Sequence, residues 1–163
     1  MDRLLTILPL ESTADAEACA RIMVASDPWL TLGRGYDSAL TILSNRVRER
    51  YVARRDGQLA GFIVLNMNGP FVGYIQIVCT APEFRGTGVG TQLLQFAEER
   101  IFRESPNVFL CVSSFNEGAR RLYERLGYTL VGELSDYIVR GYSELLLRKS
   151  RGPIDGYDPE ARP

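Results

Sequence analysis

The sequence predicts a single α/β domain in which helices cover both faces of a mixed β-sheet. The chain has 163 residues, the usual size of one domain. Its composition, 45% hydrophobic and 24% charged, is that of an ordinary globular protein. Its apolar patterns follow the order β-α-α-β-β-β-α-β-α-β-β. We place the domain at residues 1–150 and interpret the polar, Pro- and Gly-rich residues 151–163 as a C-terminal tail.

The first third of the chain predicts one strand followed by two helices. An apolar run at residues 4–10 is typical of a strand. Ser12 stands before acidic residues, and apolar side chains then recur at helical spacing to about residue 26. Pro28 ends this helix, because proline disfavours helical backbone at the residue before it. A second helix is expected over residues 37–45.

The middle of the chain predicts three strands. Residues 50–55 and 58–66 flank an Asp-Gly pair at 56–57, which is a strong signal for a β-hairpin turn. Residues 73–80 form a third run, rich in β-branched side chains, that ends before Pro82. These segments should therefore be consecutive strands of the sheet.

The second half of the chain alternates helices with strands. Its expected elements are a helix over 91–103, a strand over 107–113, a helix from about Asn116 closed by Gly127, and strands over 128–133 and 143–148. Ser114 and Glu117 have the spacing of a capping box, which places the start of the second of these helices. A strand–helix–strand crossover through residues 73–113 predicts one parallel strand pair.

Charge, hydropathy and residue absences exclude several classes of function. With 19 basic and 20 acidic residues, the near balance of charge argues against a general electrostatic affinity for nucleic acid or anionic membrane, although it leaves room for a local basic patch. No apolar run is long enough to span a bilayer, and the first residues lack a signal-peptide pattern, so a cytoplasmic protein is expected. The absence of histidine excludes Ser-His and Cys-His pairs, and no metal site is expected. Chemistry must then rest on hydroxyls, carboxylates, backbone groups or a bound cofactor.

A glycine-rich segment between a strand and a helix is the first candidate site. It reads Arg85-Gly86-Thr87-Gly88-Val89-Gly90. Glycines at alternate positions let successive amides point toward the start of the next helix, where unpaired N–H groups and the helix dipole favour an anion. The segment predicts a pyrophosphate cradle, with Arg85 adding positive charge. The alternative is a flexible turn that binds nothing.

A second pattern runs from Asn116 to Tyr128 on the expected fourth helix. The apolar residues within it are explained by core packing, and Asn116 could simply cap the helix. Tyr123 is the ambiguous member, because a tyrosine on an apolar helical face packs its ring and leaves its hydroxyl to find a partner. Taken alone, this pattern does not distinguish a catalytic from a structural tyrosine.

Together the two segments resemble the GNAT superfamily of N-acetyltransferases. The family signature R/Q-x-x-G-x-G/A is matched by Arg85, Gly88 and Gly90, after a strand that ends in T-x-P. The pattern N-x-x-A-x-x-L-Y-x-x-x-G-F/Y is matched at every position from Asn116 to Tyr128. The resemblance implies a twisted, mostly antiparallel central sheet of six to seven strands, with splayed parallel strands in its middle.

The resemblance also implies acetyl-CoA as cosubstrate and a primary amine as acceptor, joined by direct attack without a covalent enzyme intermediate. The residues that it assigns to the cosubstrate are Val78, Cys79, Thr80, Arg85, Gly86, Thr87, Gly88, Val89, Gly90, Asn116 and Tyr123. Backbone groups of the strand at Val78–Thr80 would pair with the pantetheine arm. Tyr123 would be the catalytic proton donor to the departing thiolate.

The general base is not assigned by the resemblance. The family often carries a carboxylate on the strand before the glycine loop, but this strand carries Gln76, which cannot accept the proton. Glu133, Asp136 and Tyr137 are candidates, as is a chain of water molecules. The departure leaves the route of the amine's proton open.

The acceptor pocket is expected between the first helices and the last hairpin. Trp29 could form an apolar wall and Asp27 could bind an ammonium, although a core tryptophan and a turn-capping aspartate explain both equally well. Tyr137, Tyr142 and Glu144 are weaker candidates for the same pocket. The acceptor could be a small amine, an antibiotic, an amino acid or a peptide N-terminus.

Two other functions remain as alternatives. The missing carboxylate slightly favours a non-catalytic acyl-CoA-binding module, and the glycine loop alone would also suit a different pyrophosphate ligand. The apolar final strands and the Pro-rich tail make a homodimer plausible.

Overall fold

The computed structural model describes residues 5–161. Residues 1–4, which hold the N-terminal segment and the start of the first predicted strand, and residues 162–163 of the predicted tail lie outside the described residues. The strands are β1 (Leu5–Pro9), β2 (Glu49–Arg55), β3 (Gln58–Asn66), β4 (Tyr74–Thr80), β5 (Asn107–Ser113), β6 (Thr129–Leu134) and β7 (Glu144–Ser150). The helices are α1 (Thr13–Val24), α2 (Tyr36–Ser44), α3 (Val89–Ile101) and α4 (Glu117–Arg125), and a short 3-10 helix covers Pro82–Phe84.

The strands are hydrogen-bonded in the order β1-β2-β3-β4-β5-β7-β6. The pairs β1–β2, β2–β3, β5–β7 and β6–β7 are antiparallel, whereas β4 and β5 run parallel. The prediction of a mixed, mostly antiparallel sheet with one parallel pair is therefore confirmed. The 3-10 helix was not expected; a proline at its first position has no N–H to leave unpaired there, so it begins such a turn without cost.

The described residues group into two compact units, residues 5–65 with 77–96 and residues 66–76 with 97–161, so that β4 and α3 each contribute to both. In the first unit, α1 and α2 pack against the sheet through buried side chains that include Met23, Leu43 and Phe62. Ser12 caps α1 by accepting a hydrogen bond from Asp15 N. The single domain over residues 1–150 stays a prediction.

The hairpin turn between β2 and β3 has the conformation that its sequence predicts. Asp56 and Gly57 both have positive φ, at 52° and 79°. This is the type I′ geometry, whose twist matches that of the flanking strands. The turn fixes the register in which Arg55 at the end of β2 faces Gln58 at the start of β3.

Gly61 on β3 lies where three elements of the first unit meet. A Cβ at this position would stand 2.6 Å from Cys79 O of β4, 3.0 Å from Leu93 Cδ1 and 3.2 Å from Val89 Cγ1 of α3. These distances are shorter than ordinary van der Waals contact. The absence of a side chain at Gly61 therefore allows the first turns of α3 to approach the sheet.

In the second unit, β5 pairs with β7 over its whole length, from Asn107 opposite Ser150 to Ser113 opposite Glu144. By contrast, β5 pairs with β4 only at Tyr74 and Ile75. The parallel ladder thus ends after two residue pairs, and Gln76–Thr80 lie beyond it.

The start of α4 differs from the capping-box prediction. Asn116 is the N-cap, and its side chain accepts a hydrogen bond from Ala119 N at 3.3 Å. Ser114 is therefore not the capping residue, and Glu117 is the first helical residue rather than the third. Asn and Ser cap equally well, so the pattern alone could not decide between them. Gly127 ends the helix with φ +92°, as predicted.

The segment after β7 contacts the second unit at several points. Arg151 N donates to Pro106 O at 2.8 Å, and the Arg151 guanidinium lies 3.9 Å from the centre of the Phe102 ring. Tyr157 donates its hydroxyl to Phe102 O at 2.5 Å. These contacts fasten the tail as far as Tyr157. None of the helices in the described part of the chain is long and apolar enough to cross a membrane.

Candidate active site

The glycine loop of the first unit joins the 3-10 helix to α3. Gly86 and Gly88 have φ of +72° and +84°, a region that other residues adopt only with strain. These conformations bring the chain to the start of α3 at Val89. Among the described residues, no backbone carbonyl accepts a hydrogen bond from the amides of Gly88, Val89 or Gly90. The loop therefore presents unpaired donors at the positive end of a helix dipole, which suits a pyrophosphate.

Two arginines of the first unit stand beside this loop. Arg85 donates from Nη2 to Ser26 Oγ at 2.9 Å, which fixes its guanidinium at one side. Arg55, at the end of β2, donates from Nη1 to Thr87 Oγ1 at 3.0 Å and from Nη2 to Thr87 O at 3.4 Å. The sequence analysis did not identify Arg55 as a site residue. Its contact with the glycine loop joins residues that are far apart in the sequence, so no pattern near Arg55 indicates it.

Arg54, the neighbour of Arg55, has a different partner. It forms an ion pair with Asp15 of α1 at 2.5 Å. No carboxylate of the described residues pairs with Arg55, and its buried Nε has no acceptor. Of these two arginines, only Arg55 keeps its positive charge available at the loop.

The end of β4 presents one open face and one buried face. Val78 and Thr80 are half-buried, whereas Cys79 between them is buried. Burial raises the pKa of Cys79 to about 11, and burial together with Asp15 raises the pKa of Cys19 to about 12. Both thiols are therefore protonated at neutral pH and are poor nucleophiles. This fits direct attack on acetyl-CoA better than an enzyme-bound acetyl thioester.

The second unit holds Asn116 and Tyr123. The Oδ1 of Asn116 is engaged in capping α4. Tyr123 is only 7% exposed, and its ring meets that of Tyr128 edge-on with centroids 6.0 Å apart. The packing fixes Tyr123 in one orientation, as a positioned proton donor requires. The glycine loop lies in the first unit and these two residues lie in the second.

The second unit also contains a buried carboxylate. Glu144, the first residue of β7, is 3% exposed, and Ser113 donates its hydroxyl to Glu144 Oε1 at 2.5 Å. Burial raises the pKa of Glu144, an effect that the bond from Ser113 partly opposes. The sequence suggested Glu144 only for the acceptor pocket. Its burial, which distinguishes it as an acid-base candidate, depends on the strand pairing and has no local signal.

The other candidates for the base lie on the surface. Glu133, Asp136 and Tyr137 are all exposed. Asp136 accepts a hydrogen bond from Gly141 N at 2.6 Å and thereby closes the turn between β6 and β7. Tyr142, also expected near the acceptor, packs edge-on against Phe115.

Asp27 and Trp29 were expected to contact the acceptor, with a turn-capping aspartate and a core tryptophan as the alternative. Asp27 accepts hydrogen bonds from Thr31 N at 3.1 Å and Thr31 Oγ1 at 2.5 Å, so it caps the turn after α1. Trp29 is partly buried against the core of the first unit. Both contacts are those expected of a capped turn and a core tryptophan.

Comparisons with known proteins identify the family of this chain. A family model described as the acetyltransferase (GNAT) family matches residues 12–128. The chain is 32% identical over 134 residues to the S-(2-succino)cysteine N-acetyltransferase of Bacillus subtilis, which covers 73% of this chain and 81% of that enzyme. It is 35% identical over 80 residues to the mycothiol acetyltransferase of Thermomonospora curvata, across 48% of this chain and 27% of that longer protein.

Solved structures show the same fold. An aminoglycoside 6'-N-acetyltransferase complexed with coenzyme A superposes with a TM-score of 0.74 at 16% identity, over 91% of this chain and 98% of that one. The relatives with named activities are enzymes, and nothing in these likenesses favours a non-catalytic module. The chain belongs to the acetyltransferase (GNAT) family and is an N-acetyltransferase, with acetyl-CoA as cosubstrate and an amine as acceptor.

Proposed function

We propose that this enzyme acetylates the α-amino group of an amino acid, of which an S-substituted cysteine is the leading candidate. The relative that carries this proposal is named for S-(2-succino)cysteine and covers most of both chains. N-acetylation of an S-substituted cysteine takes place on its α-amine. This amine is protonated near neutral pH and must lose a proton before it can attack the thioester.

We further propose that the loop Arg85–Gly90 holds the pyrophosphate of acetyl-CoA. The amides of Gly88, Val89 and Gly90 and the dipole of α3 would bind its oxygens. Arg85 and Arg55 would contribute positive charge from either side. The observation that supports this most strongly is the pair of left-handed glycines that leads into three amides without a backbone acceptor.

The remaining cosubstrate contacts are assigned to β4 and α4. The backbone of Val78, Cys79 and Thr80 lies beyond the short ladder between β4 and β5, so it would be available to pair with the pantetheine arm. Asn116, whose Oδ1 caps α4, would use its side-chain N–H₂ group toward the same arm. When bound, acetyl-CoA supplies an activated acetyl group whose thiolate leaves as the amine attacks.

Tyr123 is proposed as the catalytic acid that returns a proton to the departing sulfur. Its burial and its packing on Tyr128 keep the hydroxyl in one place. A Tyr123→Phe variant keeps the ring and removes only the donor. We expect kcat to fall about 100-fold while the Kd of acetyl-CoA changes less than twofold, because general acid catalysis contributes at least this much.

The function is tested with purified protein, acetyl-CoA and a panel of amines, with release of free thiol as the readout. The panel contains S-(2-succino)cysteine, other S-alkyl cysteines, a peptide with a free N-terminus, and a peptide with a blocked N-terminus and one lysine. Turnover highest on the cysteine derivatives supports the proposal. Turnover on the lysine peptide alone, or no turnover on any amine of the panel, contradicts the assignment of the acceptor.

Three broader expectations belong with this proposal. We propose a homodimer, since β6 is the last strand in the sheet order and exposes Leu130 and Val131; light scattering after size exclusion tests it. We also propose a cytoplasmic location, which suits three free cysteines. The expectation that the protein does not bind nucleic acid stays a prediction.

A further inference from the structure

We propose that Glu144 binds the ammonium group of the acceptor and takes its proton, which makes Glu144 the general base of the reaction. The inference rests on the proposed function, because it concerns the acceptor of the same reaction. It supplies the group that Gln76 cannot provide.

The position of Glu144 in the sheet places it at the turn that leads into Asn116 and α4. It is paired with Ser113, the last residue of β5, and the chain turns from there directly into α4. Asn116 N donates to Ser113 O at 2.8 Å, and Ser114 N donates to Ser143 O at 2.9 Å, so the turn is fastened to the start of β7. Ligands of open α/β sheets bind at the carboxyl ends of parallel strands, and Glu144 lies at that end of β5.

Within residues 5–161, the groups that interact with Glu144 carry no positive charge. The groups that interact with it are Ser113 and Cys111 of β5, and Tyr74 of β4; Tyr74 in turn interacts with Tyr137 of the β6–β7 turn. All of these are hydroxyls or a thiol. No ion pair among the described residues includes Glu144. A carboxylate buried without a counterion is costly, and an incoming ammonium would remove that cost.

One oxygen of the carboxylate remains available. Ser113 engages Oε1, whereas no side chain of the described residues donates to Oε2. Tyr74 and Cys111, which interact with Glu144, are half-buried, and burial raises the pKa of both, so they stay protonated and neutral near pH 7.

The proton balance of the reaction requires such a group. The acceptor enters as R–NH₃⁺ and leaves as an amide with one N–H, so two protons must leave its nitrogen. The first passes to the Glu144 carboxylate and then to solvent. As the nitrogen–carbon bond forms and the carbon–sulfur bond breaks, the second proton ends on the sulfur. The raised pKa of Glu144 makes it a stronger base than an exposed carboxylate.

The test compares Glu144→Gln with wild type, using the best amine of the panel. We expect kcat/KM to fall at least about 100-fold and the rise of activity with pH to lose the step that belongs to Glu144. The Kd of acetyl-CoA should change less than twofold, because Glu144 makes none of the proposed contacts to that ligand. The Tm at pH 8 should stay equal or increase, since the variant removes a buried charge. Glu144→Asp, which keeps a carboxylate, should retain the pH step with lower activity.

Glu104→Gln is the matched control, an exposed carboxylate of the same unit that should leave activity and Tm unchanged. The inference is overturned if Glu144→Gln keeps kcat/KM within threefold of wild type. It is also overturned if activity falls together with Tm and acetyl-CoA affinity, or if the variant does not fold, because Glu144 would then have a structural role. Absence of turnover in the wild type instead contradicts the proposed acceptor and is recognised before any variant is made.

Discussion

Gly61→Ala should disturb both the stability of the first unit and its affinity for acetyl-CoA. The new Cβ would stand 2.6 Å from Cys79 O, so β3 and β4 would have to separate by about 0.8 Å to reach ordinary contact. The neighbour is backbone, which cannot turn aside as a flexible side chain could. Forcing a methyl group into a packed interior of this kind costs about 1–3 kcal/mol.

For a domain of this size, a loss of about 2 kcal/mol lowers Tm by about 4–8 °C. The same displacement moves the end of β4 and the first turn of α3, which carry the proposed contacts to pantetheine and pyrophosphate. We therefore expect the Kd of acetyl-CoA to rise about tenfold, equivalent to 1.4 kcal/mol. Differential scanning calorimetry measures the first effect and titration calorimetry the second.

Gly118→Ala is the matched control. Gly118 lies in α4 and is exposed, and the new methyl group would meet no neighbouring atom within 4 Å. Alanine in a helix is favoured over glycine by about 0.5–1 kcal/mol, so Tm should increase slightly and acetyl-CoA affinity should not change. A Gly61→Ala variant whose Tm and Kd both match wild type would refute the close approach of β3, β4 and α3.

Two further predictions concern charged side chains. Arg55→Gln should raise the Kd of acetyl-CoA about tenfold at low salt, since a hydrogen bond to a charged group contributes about 1.5–3 kcal/mol. Arg54→Gln is the control and should leave that Kd unchanged, because the Arg54 guanidinium pairs with Asp15. Equal effects of the two variants would contradict the assignment of Arg55 to the pyrophosphate. Lys149→Met should lower Tm by about 4–12 °C, because it removes the partner of the Glu98 carboxylate, whose side chain is 11% exposed. Leaving this carboxylate unpaired should reduce the free energy of unfolding by about 2–3 kcal/mol. The double variant with Glu98→Gln should recover most of this loss, and failure to recover it would show that the pair is not coupled.

The elements with a local cause were predictable from the sequence. The strand over 107–113 has the predicted bounds, and the Asp-Gly turn at 56–57 has the predicted geometry. The boundaries of α3 shifted by two residues toward the N-terminus, because Val89 and Gly90 are helical although they belong to the glycine signature. Periodicity does not record where the first turn begins, since the earliest helical residues need no intrahelical donor bond.

The site was predictable only where its residues are consecutive. The loop Arg85–Gly90 carries its own signal, because glycine spacing determines the path of the backbone. Arg55 and Glu144 depend on strand pairing that brings distant positions together, and nothing near either residue indicates its environment. Glu144 follows a hairpin turn and precedes an apolar run, a context in which an exposed glutamate is the usual outcome.

The ion pair of Lys149 affects how readily acetyl-CoA can acetylate the enzyme itself. Lys149 is the only lysine of the sequence, and the other basic residues are arginines, which do not act as nucleophiles near neutral pH. Its Nζ lies 2.6 Å from Glu98 Oε2 and 5.9 Å from the centre of the Tyr128 ring, so these two neighbours hold the amine in place. No other side chain of the sequence carries an amine. The protein can therefore work in high concentrations of a reactive acetyl donor while offering its own side chains as very poor acceptors.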